Sequence, residues 1–253
     1  MRPNQLREAI ASTGCALGGW MAFDSSYAAE IMGHSGFDTV VIDLQHGPFY
    51  LDAAVPMLQA LSATPAMPMA RCSANNFFEI NKLLDAGAYA MICPMIDSAA
   101  DAASFVSACR YPPVGTRSYG PTRGFLYGGP DYFEHANDTI MTWAMVETPQ
   151  ALRELDAIAA TQGLDGIFVG PADLSLALGA VPPPQHTKEP LASALRHIVA
   201  RTHAAGKLVG CFSTTLEMSV DLKKMGFDFV TVAMDSALLR SAASERVNAV
   251  RRA

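Results

Sequence analysis

The sequence predicts a (β/α)8 barrel, a TIM barrel, and three observations carry the prediction. A helix-to-strand junction recurs along the chain, eight β/α units can be counted once the intervening strands and helices are filled in, and the glycine-rich GxGxxG signature of an open doubly wound sheet is absent. The junction pairs a small residue and Gly with a short apolar or β-branched run. It reads Ser35-Gly36-Phe37-Asp38 before Thr39 to Ile42, Ala86-Gly87-Ala88 before Tyr89 to Ile92, and Gly163-Leu164-Asp165-Gly166 before Ile167 to Val169. It returns as Ala205-Gly206-Lys207 before Leu208 to Gly210 and as Met225-Gly226-Phe227-Asp228 before Phe229 to Val232. Gly just beyond a helix accepts the left-handed conformation that closes it. The runs that follow are continuous rather than alternating, as in parallel strands buried on both faces.

Further strands are expected near 15–22, 66–71 and 140–147. Helices are expected near 25–35, 51–63, 76–86, 98–109, 149–160, 190–205, 215–225 and 235–250. The Pro- and Gly-rich segment 112–137 is too long for a plain connection and reads as a functional loop after strand four. Val181 to Pro190 reads as a second surface loop. The expectation is one barrel domain spanning 1–253, a length that suits such a fold.

Composition narrows the function classes. Half of the residues are hydrophobic and 17% are charged, with a net charge of −6 and no basic run, so no nucleic-acid partner is expected. The five cysteines are scattered and form no CxxC pair, which argues for a reducing compartment rather than a disulfide framework. Arg2 to Glu8 is polar with no apolar leader segment, and no run is long enough to span a membrane. A cytoplasmic protein is expected.

In a barrel of this kind, chemistry sits where strands end and βα loops begin. Those ends carry Asp43-Leu44-Gln45-His46-Gly47-Pro48 after strand two, Arg71 on strand three, Glu147 on strand five, and Gly170-Pro171-Ala172-Asp173-Leu174-Ser175 after strand six. Glu147 and Asp173 come from neighbouring strands, and two close carboxylates repel unless a proton or cation lies between them. A hard divalent ion such as Mg2+ is bound in this way. The competing arrangement pairs Glu147 with Arg71 and has Asp173 cap the helix after it. His46 suits a general base, with Asp43 orienting its ring; a loop histidine bonded to backbone is the plainer alternative. No lysine falls at a strand end, so a Schiff base is not expected. A developing enolate would rely on a metal and Arg71.

These residues, together with Leu83-Leu84-Asp85-Ala86-Gly87-Ala88, Arg110 to Arg117 and Val146-Glu147-Thr148, resemble the HpcH/HpaI family of class II pyruvate aldolases. The resemblance covers nearly the whole chain. It implies reversible aldol cleavage of 4-hydroxy-2-oxo acids to pyruvate, or a related 2-oxo acid, and an aldehyde, through a metal-stabilised enolate. It implies Glu147 and Asp173 as ligands of Mg2+, Mn2+ or Co2+, and the amides of Ala172 and Asp173 as holders of the substrate carboxylate. Arg71 falls on the keto oxygen, and His46 with Asp43 forms a base dyad. Asp85 serves an adjacent subunit's site, and Trp20 lies near the aldehyde pocket, whose shape is expected to depend on the loops after strands one, four and seven, including Trp20, Tyr119 and Phe212. The family also implies a hexamer, a trimer of dimers, with the last helix packed on or exchanged with a neighbour.

One departure stands out. The best-known members of the family carry Gln two residues before the metal glutamate, where this chain has Met145. A thioether cannot supply the amide's hydrogen bonds. The rival readings are a CoA-thioester lyase of the malyl-CoA or citrate lyase type, and a ketoacid-binding barrel without catalysis.

Overall fold

The computed structural model describes residues 1–253 apart from Pro182 and Thr214. Eight strands form a closed parallel barrel: β1 (Ala16–Met21), β2 (Thr39–Asp43), β3 (Met67–Arg71), β4 (Ala90–Cys93), β5 (Met141–Val146), β6 (Gly166–Val169), β7 (Leu208–Cys211) and β8 (Phe229–Met234). β8 closes onto β1, with Ala16 opposite Phe229, and a register shift falls between Gly18 and Gly19. β2 to β6 are buried at every position, because one face packs into the barrel and the other against helices. Inside, Phe168, Phe229 and Trp143 form a run of tilted rings with centroids 5.6 and 5.7 Å apart. Gly166 and Gly210 face them, and a Cβ at either would come within 2.8 Å of a ring carbon.

Seven of the eight expected helices lie within a few residues of their expected bounds. The eighth, 149–160, is split at Glu154 into Pro149–Arg153 and Leu155–Ala159. Helix Gln5–Thr13 was not expected. Its signals were present, since Asn4 caps its start by accepting from the Arg7 N–H and Gly14 closes its end at φ 76°. The Asn4 amide also donates to the carbonyls of Tyr89 (3.1 Å) and Thr139 (2.9 Å), fastening the helix beneath the barrel.

The segment 112–137 is corrected. Helix Ala99–Cys109 follows β4 and returns the chain to the opposite end of the barrel, so this segment lies on the face where strands begin. It holds helices Thr122–Gly128 and Tyr132–Thr139 rather than a loop at the strand-four rim. In the stretch Val181 to Pro190, Pro182 lies outside the described residues, and the others are exposed or half-buried, as a surface loop requires.

The last helix, Asp235–Arg252, buries only its first residue. Asp235 accepts from the N–H groups of Ala22 (2.9 Å), Phe23 (3.0 Å) and Ser236 (2.6 Å), clamping the helix root to the exit of β1. From Leu238 onward every residue is exposed, including Leu239, Val247 and Val250. Among the described residues, no helix is long and apolar enough to cross a membrane.

Candidate active site

The strand ends open on a cavity of ≈ 250 Å³ walled by Trp20, Phe212 and Met234, with Asp43, His46, Arg71, Met145 and Gly170 to Asp173 around it. Strand register explains its centre. Asp43 ends β2 directly beside Arg71 on β3, so the two side chains leave the barrel together. Arg71 Nε donates to Asp43 Oδ1 (2.8 Å) and Nη2 to Oδ2 (2.6 Å), a bidentate pair buried on both sides. Trp20 Nε1 adds a third bond to Oδ2 (3.1 Å), and its ring lies 4.8 Å under the guanidinium. Burial alone lifts the Asp43 carboxyl, but the Arg71 guanidinium outweighs it and holds it below the ordinary carboxylate range.

This geometry corrects one expectation. Asp43 does not orient the His46 ring: its contact is with the His46 backbone N–H (3.3 Å), alongside that of Gln45 (3.1 Å). The carboxylate is already committed to Arg71 and Trp20. His46 is exposed at the cavity mouth. Gly47 makes the tight turn possible, since a Cβ there would lie 2.2 Å from the Asp43 carbonyl oxygen.

With Nε and Nη2 engaged, Arg71 Nη1 meets only the Met145 sulfur among the described residues, at 3.8 Å. A thioether is a weak acceptor, so this donor stays available to a ligand. Glu147 is buried and does not pair with Arg71. Its Oε1 accepts from the Met95 N–H (2.9 Å), and its Oε2 is buried with no partner among the described residues. Gly170 passes so close that a Cβ would sit 2.4 Å from Oε2 and 2.6 Å from Met145 Cε.

Burial, reinforced by the nearby Asp173 charge and only partly offset by the Met95 N–H and Arg71, pushes the Glu147 carboxyl up to about 7. Asp173 itself is exposed in the first turn of helix Pro171–Ala177, whose N-cap is Gly170 rather than Asp173. Pro171 at the first position has no N–H, which leaves those of Ala172 and Asp173 as the free donors at the helix start.

A buried carboxylate oxygen without a partner, next to a second carboxylate, fits a divalent cation. Among the described residues, no third His, Cys, Asp or Glu completes a cluster. Such an ion would therefore keep positions for water and substrate oxygens. No lysine is among the described residues that line the cavity, which leaves a Schiff base without its amine.

The Glu147 shift sets a pH dependence for the metal-free protein. A folded-state pKa near 7 against an ordinary 4.5 means that the folded chain holds a proton the unfolded chain has lost in that interval. Stability from this group is therefore fully present below pH 4.5 and falls, by ~3 kcal/mol in all, as pH rises to 7. Divalent ion should offset the loss, since it replaces the proton. Thermal unfolding from pH 5 to 8 in EDTA should show the fall, and Glu147→Gln should remove it. An unchanged slope in that variant would assign the effect elsewhere.

Asp85 stands apart. It ends helix Phe77–Asp85 at the opposite end of the barrel and receives Arg117 Nη2 at 2.8 Å. Arg117 is fully buried, lying over Tyr111 and bonded to the Tyr132 hydroxyl (3.0 Å). Burial pushes the Asp85 carboxyl up against the pull of Arg117. Within one chain, Asp85 does not join the cavity.

The walls Phe212 and Met234 were partly or wholly missed from sequence. Phe212 was expected among the loops shaping the pocket; Met234 was not singled out, although its place at the end of β8 marks it. Tyr119, expected on the same rim, belongs to the opposite face, where it packs on Tyr111 and Phe133.

Residues 17–242 match the model of the family described as HpcH/HpaI aldolase/citrate lyase. The chain belongs to this family. It is 42% identical over 230 residues to a hydroxypyruvate/pyruvate aldolase from Rhizorhabdus wittichii, covering 91% of this chain and 92% of that one. A 5-keto-4-deoxy-D-glucarate aldolase from Citrobacter koseri is 34% identical, with 99% and 97% covered. Among solved structures, an HpcH/HpaI aldolase/citrate lyase family protein from Burkholderia cenocepacia superposes with a TM-score of 0.90 at 31% identity, covering 98% of this chain and 99% of the other. HpcH/HpaI members thus share the barrel as well as the sequence pattern.

Proposed function

We propose that this protein is a divalent-metal-dependent aldolase. It cleaves and forms 4-hydroxy-2-oxo acids, exchanging them with a 2-oxo acid such as pyruvate and an aldehyde. The observation that carries the reading is a Glu147 Oε2 with no partner among the described residues, beside an Arg71 whose Nη1 meets only sulfur among them. The aldolases among its relatives support the same reaction class, and the R. wittichii enzyme's name makes hydroxypyruvate the second donor to test.

Glu147 and Asp173 would hold the ion, Mg2+, Mn2+ or Co2+, which when bound supplies Lewis-acid polarisation of the keto group. The amides of Ala172 and Asp173 hold the substrate carboxylate. Arg71 Nη1 donates to the keto oxygen and shares the negative charge that builds there. In cleavage, His46 at the cavity mouth takes the proton of the C4 hydroxyl. The electrons of the C3–C4 bond pass to the enolate as the aldehyde leaves, and His46 then returns the proton to the enolate's CH2 carbon, which becomes the methyl group of pyruvate. Trp20, Phe212 and Met234 give the acceptor side an apolar wall that limits water.

The test is exchange of the pyruvate methyl protons in D2O, followed by NMR on protein stripped with EDTA and resupplied with Mg2+ or Mn2+. Exchange should appear only with metal. Metal-independent exchange would restore Schiff-base chemistry, and no exchange with either metal would sink the aldolase reading. His46→Ala should slow the exchange; an unchanged rate removes His46 as the base.

The reading extends to assembly, as a hexamer in which Asp85 reaches a neighbouring subunit's site. The solvent-facing last helix supports it, for Leu239, Ala243, Val247 and Val250 recur at a spacing that puts them on one side. A double change, Val247→Glu with Val250→Glu, should shift the protein to smaller species in light scattering behind gel filtration. Unchanged mass would count against that helix as an interface. The five cysteines, buried and unpaired, suit a cytoplasmic setting.

A further inference from the structure

The turn leaving β4 is built in an unusual way. Met95 has φ 55°, and it is the one non-glycine residue with positive φ among the described residues. A long side chain in the left-handed region is uncommon and marks a place where the surroundings demand that backbone. The side chain itself does not account for it: Met95 is 53% exposed and does not line the cavity.

The demand comes from β5. In an extended strand, successive N–H groups point to opposite sides, so only one of two neighbours can reach the adjacent strand. Here both do. The Met95 N–H donates to Glu147 Oε1 at 2.9 Å, and the Ile96 N–H donates to the Met145 carbonyl at 3.2 Å. The left-handed twist between them turns two consecutive donors onto one stretch of β5 and its exit. Met145 and Glu147 flank Val146, so the turn grips the strand on both sides of that residue.

We propose that Met95 is a positioning residue for Glu147. Its peptide N–H holds Oε1, so that Oε2 is the oxygen left open, and the left-handed backbone at Met95 keeps that N–H in place. The proposal rests on the reading of Glu147 as a metal ligand. It makes the backbone of residue 95, not its side chain, the group that matters. Outer partners of this kind fix a ligand's orientation, and their loss commonly weakens metal binding by about 10–100-fold.

The experiment is calorimetric titration of Mn2+ into EDTA-stripped protein, with thermal unfolding of each variant beside it. Met95→Gly and Met95→Asn tolerate positive φ and should bind Mn2+ within about threefold of the native chain. Met95→Val, β-branched and averse to that region, should lose about 10–100-fold. The α-hydroxy-acid analogue of methionine at position 95 replaces only the N–H by an ester oxygen. It should show the same loss with the side chain kept, and it decides the matter if the valine variant does not fold. Native affinity in the ester protein would overturn the proposal. So would Gly and Asn variants that lose Mn2+ as fully as Val, because the side chain would then be responsible. If the native protein binds no Mn2+, the metal-ligand reading of Glu147 and Asp173 fails first and takes this proposal with it.

Discussion

Arg71→Ala should lower kcat/KM for aldol cleavage by roughly 10²–10³-fold, because it removes the donor that shares the enolate charge. It should also destabilise the fold. Asp43 and Arg71 are 3% and 6% exposed, and removing one member of a buried pair leaves the other charged and without its partner. Such losses run to about 3–5 kcal/mol. The two effects can be separated. Asp43→Leu combined with Arg71→Met fills the same space without charge and should recover much of the stability while activity stays low. Urea unfolding alongside kinetics would show it. An active double variant would mean that Arg71 matters for packing alone.

Glu147→Gln should abolish metal-dependent exchange and weaken Mn2+ binding by more than the ~10–100-fold typical of losing an outer partner. In EDTA at pH 8, however, the same variant should be more stable than the native chain. The native carboxylate is mostly ionised there at a desolvation cost, with one oxygen unpartnered among the described residues. The amide carries no charge. A variant that is both less stable without metal and unchanged in Mn2+ affinity would show that Glu147 serves the fold rather than an ion.

The barrel was legible because its evidence is repetitive: glycine-marked junctions and continuous apolar runs state the same thing several times over. The rim residues Asp43, His46, Arg71 and Asp173 were legible for a related reason. A charged residue at the end of an apolar strand has few structural roles, and barrel topology puts all such ends on one face. Partner choice was not legible. That Asp43 meets Arg71 rather than the His46 ring depends on β2–β3 register, which places positions 43 and 71 side by side although 28 residues separate them. The segment 112–137 was misplaced because its composition announces a long excursion but not the end of the barrel from which it leaves. Met95 was invisible for a different reason. Its contribution is a backbone N–H, and nothing about a methionine in a Cys-Pro-Met-Ile turn discloses its φ.

The seam of the barrel has a consequence for how the chain is made. Ala16 finds its sheet partner in Phe229, near the other end of the polypeptide. Until β8 has emerged from the ribosome, β1 and β7 each present an unpaired parallel edge, and such edges invite pairing with other chains. Closure is thus a late, long-range event of the kind that makes folding slow. The last helix follows β8 without a linker, and its Asp235 root reaches back to Ala22 and Phe23 at the exit of β1. The segment that completes the ring is followed at once by the residue that latches it shut.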